Sequence, residues 1–267
     1  MASPRTVLVF DSGLGGLTVF REVATARPDA RLVYAADDMF FPYGRQDEGK
    51  LVARVLDVME QLVAAHRPDL IVIACNTAST LVLPQLREKF QIPFVGTVPA
   101  IKPACLSSRS KLVSVLGTEA TVKREYTRAL VAEHGNNCAV TLVGSLRLAE
   151  LAEAELKGGT VTDAEIEAEI APCFVETGGA RTDTVVLACT HYPLLLDRLR
   201  TLAPWPVDFI DPAPAIARRV VELLGPPAPG APPVPARSVF TSGQAPAPKL
   251  AAALARFGLT QGAKADA

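Results

Sequence analysis

Short runs of consecutive apolar positions alternate along the chain with longer stretches where apolar residues recur every third or fourth position. The short runs predict strands covered on both faces, because a half-exposed strand would alternate apolar with polar. They lie at 6–10, 31–35, 70–74, 93–97, 112–116, 139–143, 184–188 and 207–210. The longer stretches predict amphipathic helices. The clearest covers about 46–66, with Leu51, Val55, Met59, Leu62 and Val63 at helical spacing. This alternation implies an α/β fold with mainly parallel sheets. Residues 144–180, rich in Ala and Glu, read as helical throughout apart from a break at Gly158–Gly159. The segment "GPPAPGAPPVPAR", 225–237, reads as a loop or linker. "SVFTSGQ" after it reads as one more strand and turn, and the tail "QGAKADA" as frayed.

The chain contains an echo of itself. "LIVIACNTAST", 70–80, matches "TVVLACTHYPL", 184–194: each puts Ala-Cys after a β-rich run and follows it with Thr-bearing polar residues. A second, weaker echo links "LVFDSGLGGLTV", 8–19, with "SVLGTEATVKREY", 114–126. The reading is two similar α/β lobes with a cleft between them.

Composition narrows the class. A length of 267 residues fits one large or two small domains at about 150 residues each. A net charge of -1, with no run of like charges, argues against nucleic acid or an anionic membrane as partner. No apolar run reaches a membrane span, and the N-terminus has no secretory apolar stretch, so a cytoplasmic address is expected. Five cysteines with no C-x-x-C pair suggest neither a disulfide framework nor a zinc ribbon.

In an open parallel sheet, ligands bind beyond the carboxyl ends of the strands. Four segments carry polar groups there: Asp11-Ser12, Cys75-Asn76-Thr77, Gly117-Thr118 and Cys189-Thr190-His191. The turn "DSGLGG" is neither G-x-G-x-x-G, since position 18 is Thr, nor a P-loop. Its glycines suit close approach of backbone to a small ligand. Asp11 suits an ammonium group or the role of a base. Cys75 and Cys189 taken singly read as core packing or as reactive thiols. Taken together, at equivalent points of two lobes, they face each other across the cleft. His191, two residues after Cys189, is placed to take its proton or orient it. Cys105, Cys138 and Cys173 have no such setting and read as packing. Acid–base groups of one type on both faces of a bound carbon suit inversion of a stereocentre: one thiolate removes a proton and the other thiol returns one.

"FDSGLGGLTV" at 10–19, "DDMFFPYG" at 37–44, "ACNTAST" at 74–80, "LGTEATVKREY" at 116–126 and "ACTHYPLL" at 188–195 resemble the cofactor-independent aspartate/glutamate racemase superfamily, and within it the glutamate racemases. The resemblance implies two Rossmann- or flavodoxin-like lobes, 1–97 plus 208–267 and 98–207. It makes Cys75 the base for the D-enantiomer and Cys189 the base for the L-enantiomer, assisted by Asp11 and His191. The substrate would be held by Asp11, Ser12, Pro42, Tyr43, Gly44, Asn76, Thr77, Thr190 and His191, with Thr118 and Thr121 near its carboxylate. The resemblance also implies no pyridoxal phosphate, metal or nucleotide, a role in supplying D-glutamate for peptidoglycan, and a homodimer.

One segment departs from the family. Where the pattern usually ends in Pro-Leu-Val-Glu with an assisting Glu, this chain reads "VGSLRLAELAEAELKGG", 143–159. Glu153 is the candidate, Glu150 the competitor, and a solvated Glu the plain alternative. Rival functions are a racemase of aspartate or a hydantoin, a two-lobed amino-acid-binding protein, and a redox or metal-binding protein using the thiols.

Overall fold

A computed structural model describes residues 4–135, 137–230 and 232–261. The expected fraying of the tail falls on 262–267, outside the described residues. In chain order the strands are β1 (Thr6–Asp11), β2 (Arg31–Ala36), β3 (Leu70–Ile73), β4 (Phe94–Gly96), β5 (Leu112–Thr118), β6 (Ala139–Ser145), β7 (Glu176–Thr177), β8 (Ala180–Arg181), β9 (Thr184–Ala188), β10 (Asp208–Ile210), β11 (Ala236–Phe240) and β12 (Leu259–Gln261). The helices are α1 (Leu17–Ala26), α2 (Glu48–His66), α3 (Asn76–Lys89), α4 (Ile101–Ser107), α5 (Glu119–Lys123), α6 (Glu125–His134), α7 (Leu148–Leu156), α8 (Asp163–Ile170), α9 (Leu196–Leu202), α10 (Ala213–Leu224) and α11 (Pro248–Arg256).

Two parallel sheets organise these elements into two α/β lobes. The first has the order β12-β11-β2-β1-β3-β4, the second β10-β9-β5-β6. Every residue of β1, β3 and β9 is buried, which explains why these strands read as unbroken apolar runs. Apolar clusters cover both faces of each sheet. The apolar stripe of α2, with Leu51, Val55, Val58, Met59 and Leu62, packs on one face of the first sheet. Each such side chain contributes about 1.5–3 kcal/mol by leaving water. Asp47 starts this helix by accepting the Lys50 amide at 3.0 Å, and Arg67, at φ 46°, ends it.

Strand order decides where a site can form. In the first sheet the chain reverses direction between β1 and β3, and in the second between β5 and β9. These are the switch points where a crevice opens beyond the strand ends. Asp11 ends β1, Cys75 follows β3, Thr118 ends β5 and Cys189 follows β9.

Three expectations need correcting. The chain leaves the first sheet after Gly96, but Asp208–Ile210, expected with the first lobe, pairs with β9 and is an edge strand of the second sheet. The return comes after Ile210, where α10 packs against α1. Residues 144–180 are not helical throughout: beyond α7 and α8 lies the antiparallel hairpin β7–β8. Gly178 and Gly179 make its two-residue turn with φ of 58° and 78°, a conformation Gly-Gly favours. Finally, Cys75 opens straight into α3, whereas Cys189 leads into a 3-10 turn, Tyr192–Leu195, before α9. Pro193 supplies no amide hydrogen, so the second lobe does not repeat the first there. Among the described residues no helix is long and apolar enough to cross a membrane.

Candidate active site

The carboxyl ends of the two sheets close on a small cavity. From the first lobe, Ser12, Pro42, Tyr43, Gly44, Cys75, Asn76 and Thr77 line it. From the second come Thr118, Cys189, Thr190 and His191. Phe41 and Ala149 complete the lining. Its volume is about 20 Å³, room for a single water. Two ion pairs join the lobes, Arg45–Glu150 at 2.7 Å and Arg124–Glu48 at 2.8 Å. Three expected residues, Asp11, Thr121 and Glu153, stand one contact behind the lining.

Cys189 is buried, with its Sγ 3.8 Å from Nδ1 of His191. The other ring nitrogen, Nε2, lies 3.1 Å from both the Gly15 amide nitrogen and Glu153 Oε1. A neutral ring accepts from the amide; a charged ring donates to the carboxylate. Burial opposes charge on His191, but the Cys189 sulfur and the Glu153 carboxylate outweigh it and raise its pKa to about 10. Burial likewise opposes the Glu153 charge, yet His191 and Lys157 bring its pKa down to about 2. The two shifts agree on a charged pair. Glu153 Oε1 also accepts the Leu14 amide at 2.8 Å. Glu150 instead pairs with Arg45 at the cleft rim.

The glycines of "DSGLGG" serve this contact. A Cβ on Gly13 would sit 2.0 Å from Glu153 Oε1, and one on Gly15 2.4 Å from His191 Nδ1. Gly16 meets Asp11 in the same way, at 2.6 Å. At these three positions the backbone comes close to side chains of the protein itself.

On the facing side, Cys75 caps the N-terminus of α3. Burial pushes its thiol up to about 12, and the nearby Asp11 charge adds to the shift. Asp11 is fully buried; its carboxylate accepts the Gly13 amide at 3.0 Å and the Thr190 hydroxyl at 3.1 Å. Asn76 is 2% exposed, and neither its amide nitrogen nor its oxygen has a partner among the described residues. Most buried polar groups are paired, so Asn76 stands out in the cavity lining with its hydrogen-bonding capacity unspent.

Three threonine hydroxyls bridge the lobes. Thr77 Oγ1 lies 3.1 Å from Thr118 Oγ1 and 3.2 Å from Thr121 Oγ1, and the last two are 2.9 Å apart. Tyr43 turns its hydroxyl away, donating to Asp37 at 2.7 Å, and Arg54 holds that carboxylate from the other side. The Tyr43 hydroxyl is therefore spent on Asp37.

A family model described as Asp/Glu/Hydantoin racemase matches residues 17–220. The chain belongs to the Asp/Glu/hydantoin racemase family. A glutamate racemase of Mesorhizobium japonicum is 57% identical over 241 residues, 89% of this chain and 92% of that one. A glutamate racemase of Brucella ovis is 56% identical over 225 residues, 84% and 81% of the two chains. Among solved structures, an Escherichia coli glutamate racemase, in complex with L-glutamate and the activator UDP-MurNAc-ala, superposes with a TM-score of 0.86 at 41% identity, covering 97% of each chain.

Sequence reasoning missed several contacts around this cavity. The amides of Leu14 and Gly15 are invisible to a side-chain reading. Phe41 packs against the His191 ring, centroids 5.3 Å apart. Its only sequence signal was its place beside "PYG". Lys157 was not singled out, although its spacing of four from Glu153 on a helix was there to be read.

Proposed function

We propose that this protein is a glutamate racemase that interconverts L- and D-glutamate by two-base proton transfer between Cys75, Cys189 and the substrate α-carbon. The observation that carries this reading is that Cys75 and Cys189, from different lobes, line one small cavity. For L-glutamate, Cys189 as thiolate takes the α-proton, with His191 having accepted the thiol proton. Cys75, protonated in the buried site, gives its proton to the opposite face of the carbon. One C–H bond breaks and one forms, and the product is D-glutamate. The reverse reaction uses the same groups in exchanged roles. Asp11 would assist on the Cys75 side, and Glu153 would hold His191 charged.

An amino-acid α-hydrogen is a very weak acid, so developing charge needs fixed donors away from water. The unpartnered Asn76 amide, the hydroxyls of Thr77, Thr118 and Thr121, and the free amides at the start of α3 are such donors. A cavity of about 20 Å³ is far too small for glutamate, so the lobes must part to admit it and close again. The reading extends to a cytoplasmic homodimer that supplies D-glutamate for peptidoglycan, on family resemblance.

Circular dichroism of purified protein with L-glutamate, run in D₂O, tests it. The expected result is loss of signal to zero, with deuterium at the α-carbon of the D-glutamate formed. No loss with glutamate but loss with aspartate would move the substrate. Inversion without deuterium would contradict the two-base path.

A further inference from the structure

Four ionisable groups stand in line from the surface to the sulfur of Cys189. Lys157 Nζ lies 2.5 Å from Glu153 Oε2, Glu153 Oε1 lies 3.1 Å from His191 Nε2, and His191 Nδ1 lies 3.8 Å from Cys189 Sγ. Glu153, His191 and Cys189 are buried; Lys157 is half-exposed and ends the line at solvent. It is also the one member without a part in the chemistry above. We propose that Lys157 is a positioning residue, whose ammonium holds the Glu153 carboxylate against His191 and thereby keeps the imidazole aimed at Cys189. The proposal rests on the racemase reading.

The reason lies in how a glutamate side chain moves. Its terminal torsion is broad and roughly two-fold, so a carboxylate fixed at one oxygen can still rock about that bond. Oε1 is fixed by the Leu14 amide and His191. Oε2 meets Lys157, and a contact at each oxygen sets the carboxylate plane. Rocking would carry Oε1 off Nε2, because that contact is already 3.1 Å long. The second cation also offsets the cost of burying the carboxylate.

The side chain can be tested apart from the helix end it occupies. The Lys157 backbone amide bonds to the Glu153 carbonyl at 2.9 Å, and any substitution keeps that bond. Other ionisable groups around the pair are Asp11, Cys75 and Tyr34, and beyond the helix end Lys249, whose ammonium donates to the Gly158 carbonyl at 3.1 Å. The Tyr34 hydroxyl is spent on the Gly13 carbonyl at 2.6 Å. None of these forms an ion pair with Glu153, so Lys157→Met leaves His191 as its only ion-pair partner among the described residues. Loss of the ammonium raises the Glu153 pKa, so the carboxylate is lost at higher pH.

The experiment compares wild type, Lys157→Met and Lys157→Arg across pH. Racemisation has an equilibrium constant of one, so kcat/KM must fall by the same factor in both directions. Lys157→Met is expected to lower it roughly two- to fivefold, the scale of a part-exposed ion pair. It also moves the acid limb of the pH profile upward and leaves Tm within about 2 °C. Lys157→Arg is expected to restore most of the rate and the acid limb. An unchanged kcat/KM and acid limb in Lys157→Met overturns the proposal. So does a loss that tracks Tm, leaves the acid limb in place and is not recovered by Arg. A ¹³C NMR titration of the Glu153 carboxyl gives a readout independent of activity. If wild type does not racemise glutamate, the racemase reading fails. The Glu153 titration, expected to move up in Lys157→Met, then still decides the contact.

Discussion

The backbone amide of Gly15 lies 3.1 Å from Nε2 of His191, 176 residues further along the chain. One group belongs to the turn after β1, the other to the strand end of the opposite lobe. The lobes therefore close backbone against the His191 side chain, with no room for a Cβ between them.

Gly15→Ala tests that closure. The position has no positive φ, so alanine meets no backbone strain and the whole effect is the collision with His191. The expected result is a fall in kcat/KM of about a hundredfold, some 2.7 kcal/mol of lost transition-state stabilisation. Tm should fall by a few degrees only. Activity within threefold of wild type would mean that the cleft does not need this contact.

The thiols separate by exchange chemistry. Cys75→Ser and Cys189→Ser should each lower racemisation by at least about a thousandfold while glutamate still binds. In D₂O, Cys189→Ser should still exchange the α-hydrogen of D-glutamate, and Cys75→Ser that of L-glutamate, each without inversion. Proton NMR of the α-position reads both. Retained racemisation in either variant would remove the two-thiol mechanism.

Asn76 predicts a trade between stability and activity. A buried polar group without a partner costs about 1–3 kcal/mol, and alanine removes that cost along with some packing. Asn76→Ala should leave urea stability unchanged or raised by about 1 kcal/mol, yet cut kcat/KM at least about thirtyfold. A stability loss above about 2 kcal/mol would make Asn76 a structural residue.

The Glu153–His191 pair should mark the pH dependence of folding. Glu153 is lowered from 4.5 to about 2, so its contribution is present above pH 4.5 and disappears as pH falls towards 2. His191 is raised from 6.5 to about 10, so its contribution is full below pH 6.5 and disappears as pH rises through 10. Urea unfolding of wild type should therefore weaken between pH 6.5 and 10, by on the order of 1–3 kcal/mol. In Glu153→Gln that slope should shrink. Equal slopes would show that the pair is not charged in the folded protein.

Much of this was legible in the chain. A strand buried on both faces is apolar at most positions, so β1, β3, β5 and β9 were readable as runs. The repeat of Ala-Cys after two such runs marked the thiols, because parallel strands present their carboxyl ends on one side. The β7–β8 hairpin was missed, since two-residue strands are too short for a period to register and only Gly178–Gly179 signalled the turn.

The sequence by itself determined the two-lobed α/β plan and the residue types at each strand end, because burial and strand direction act locally. Only the tertiary structure decided which groups meet. Glu150 and Glu153 lie three residues apart on α7 and share a face, yet Glu153 meets His191 while Glu150 meets Arg45 at the rim. Gly13 and Gly15 of "DSGLGG" leave room for Glu153 and His191 of the opposite lobe, and Gly16 for Asp11 of its own. Contacts between distant segments depend on how two rigid lobes dock, and no spacing along one chain encodes that distance.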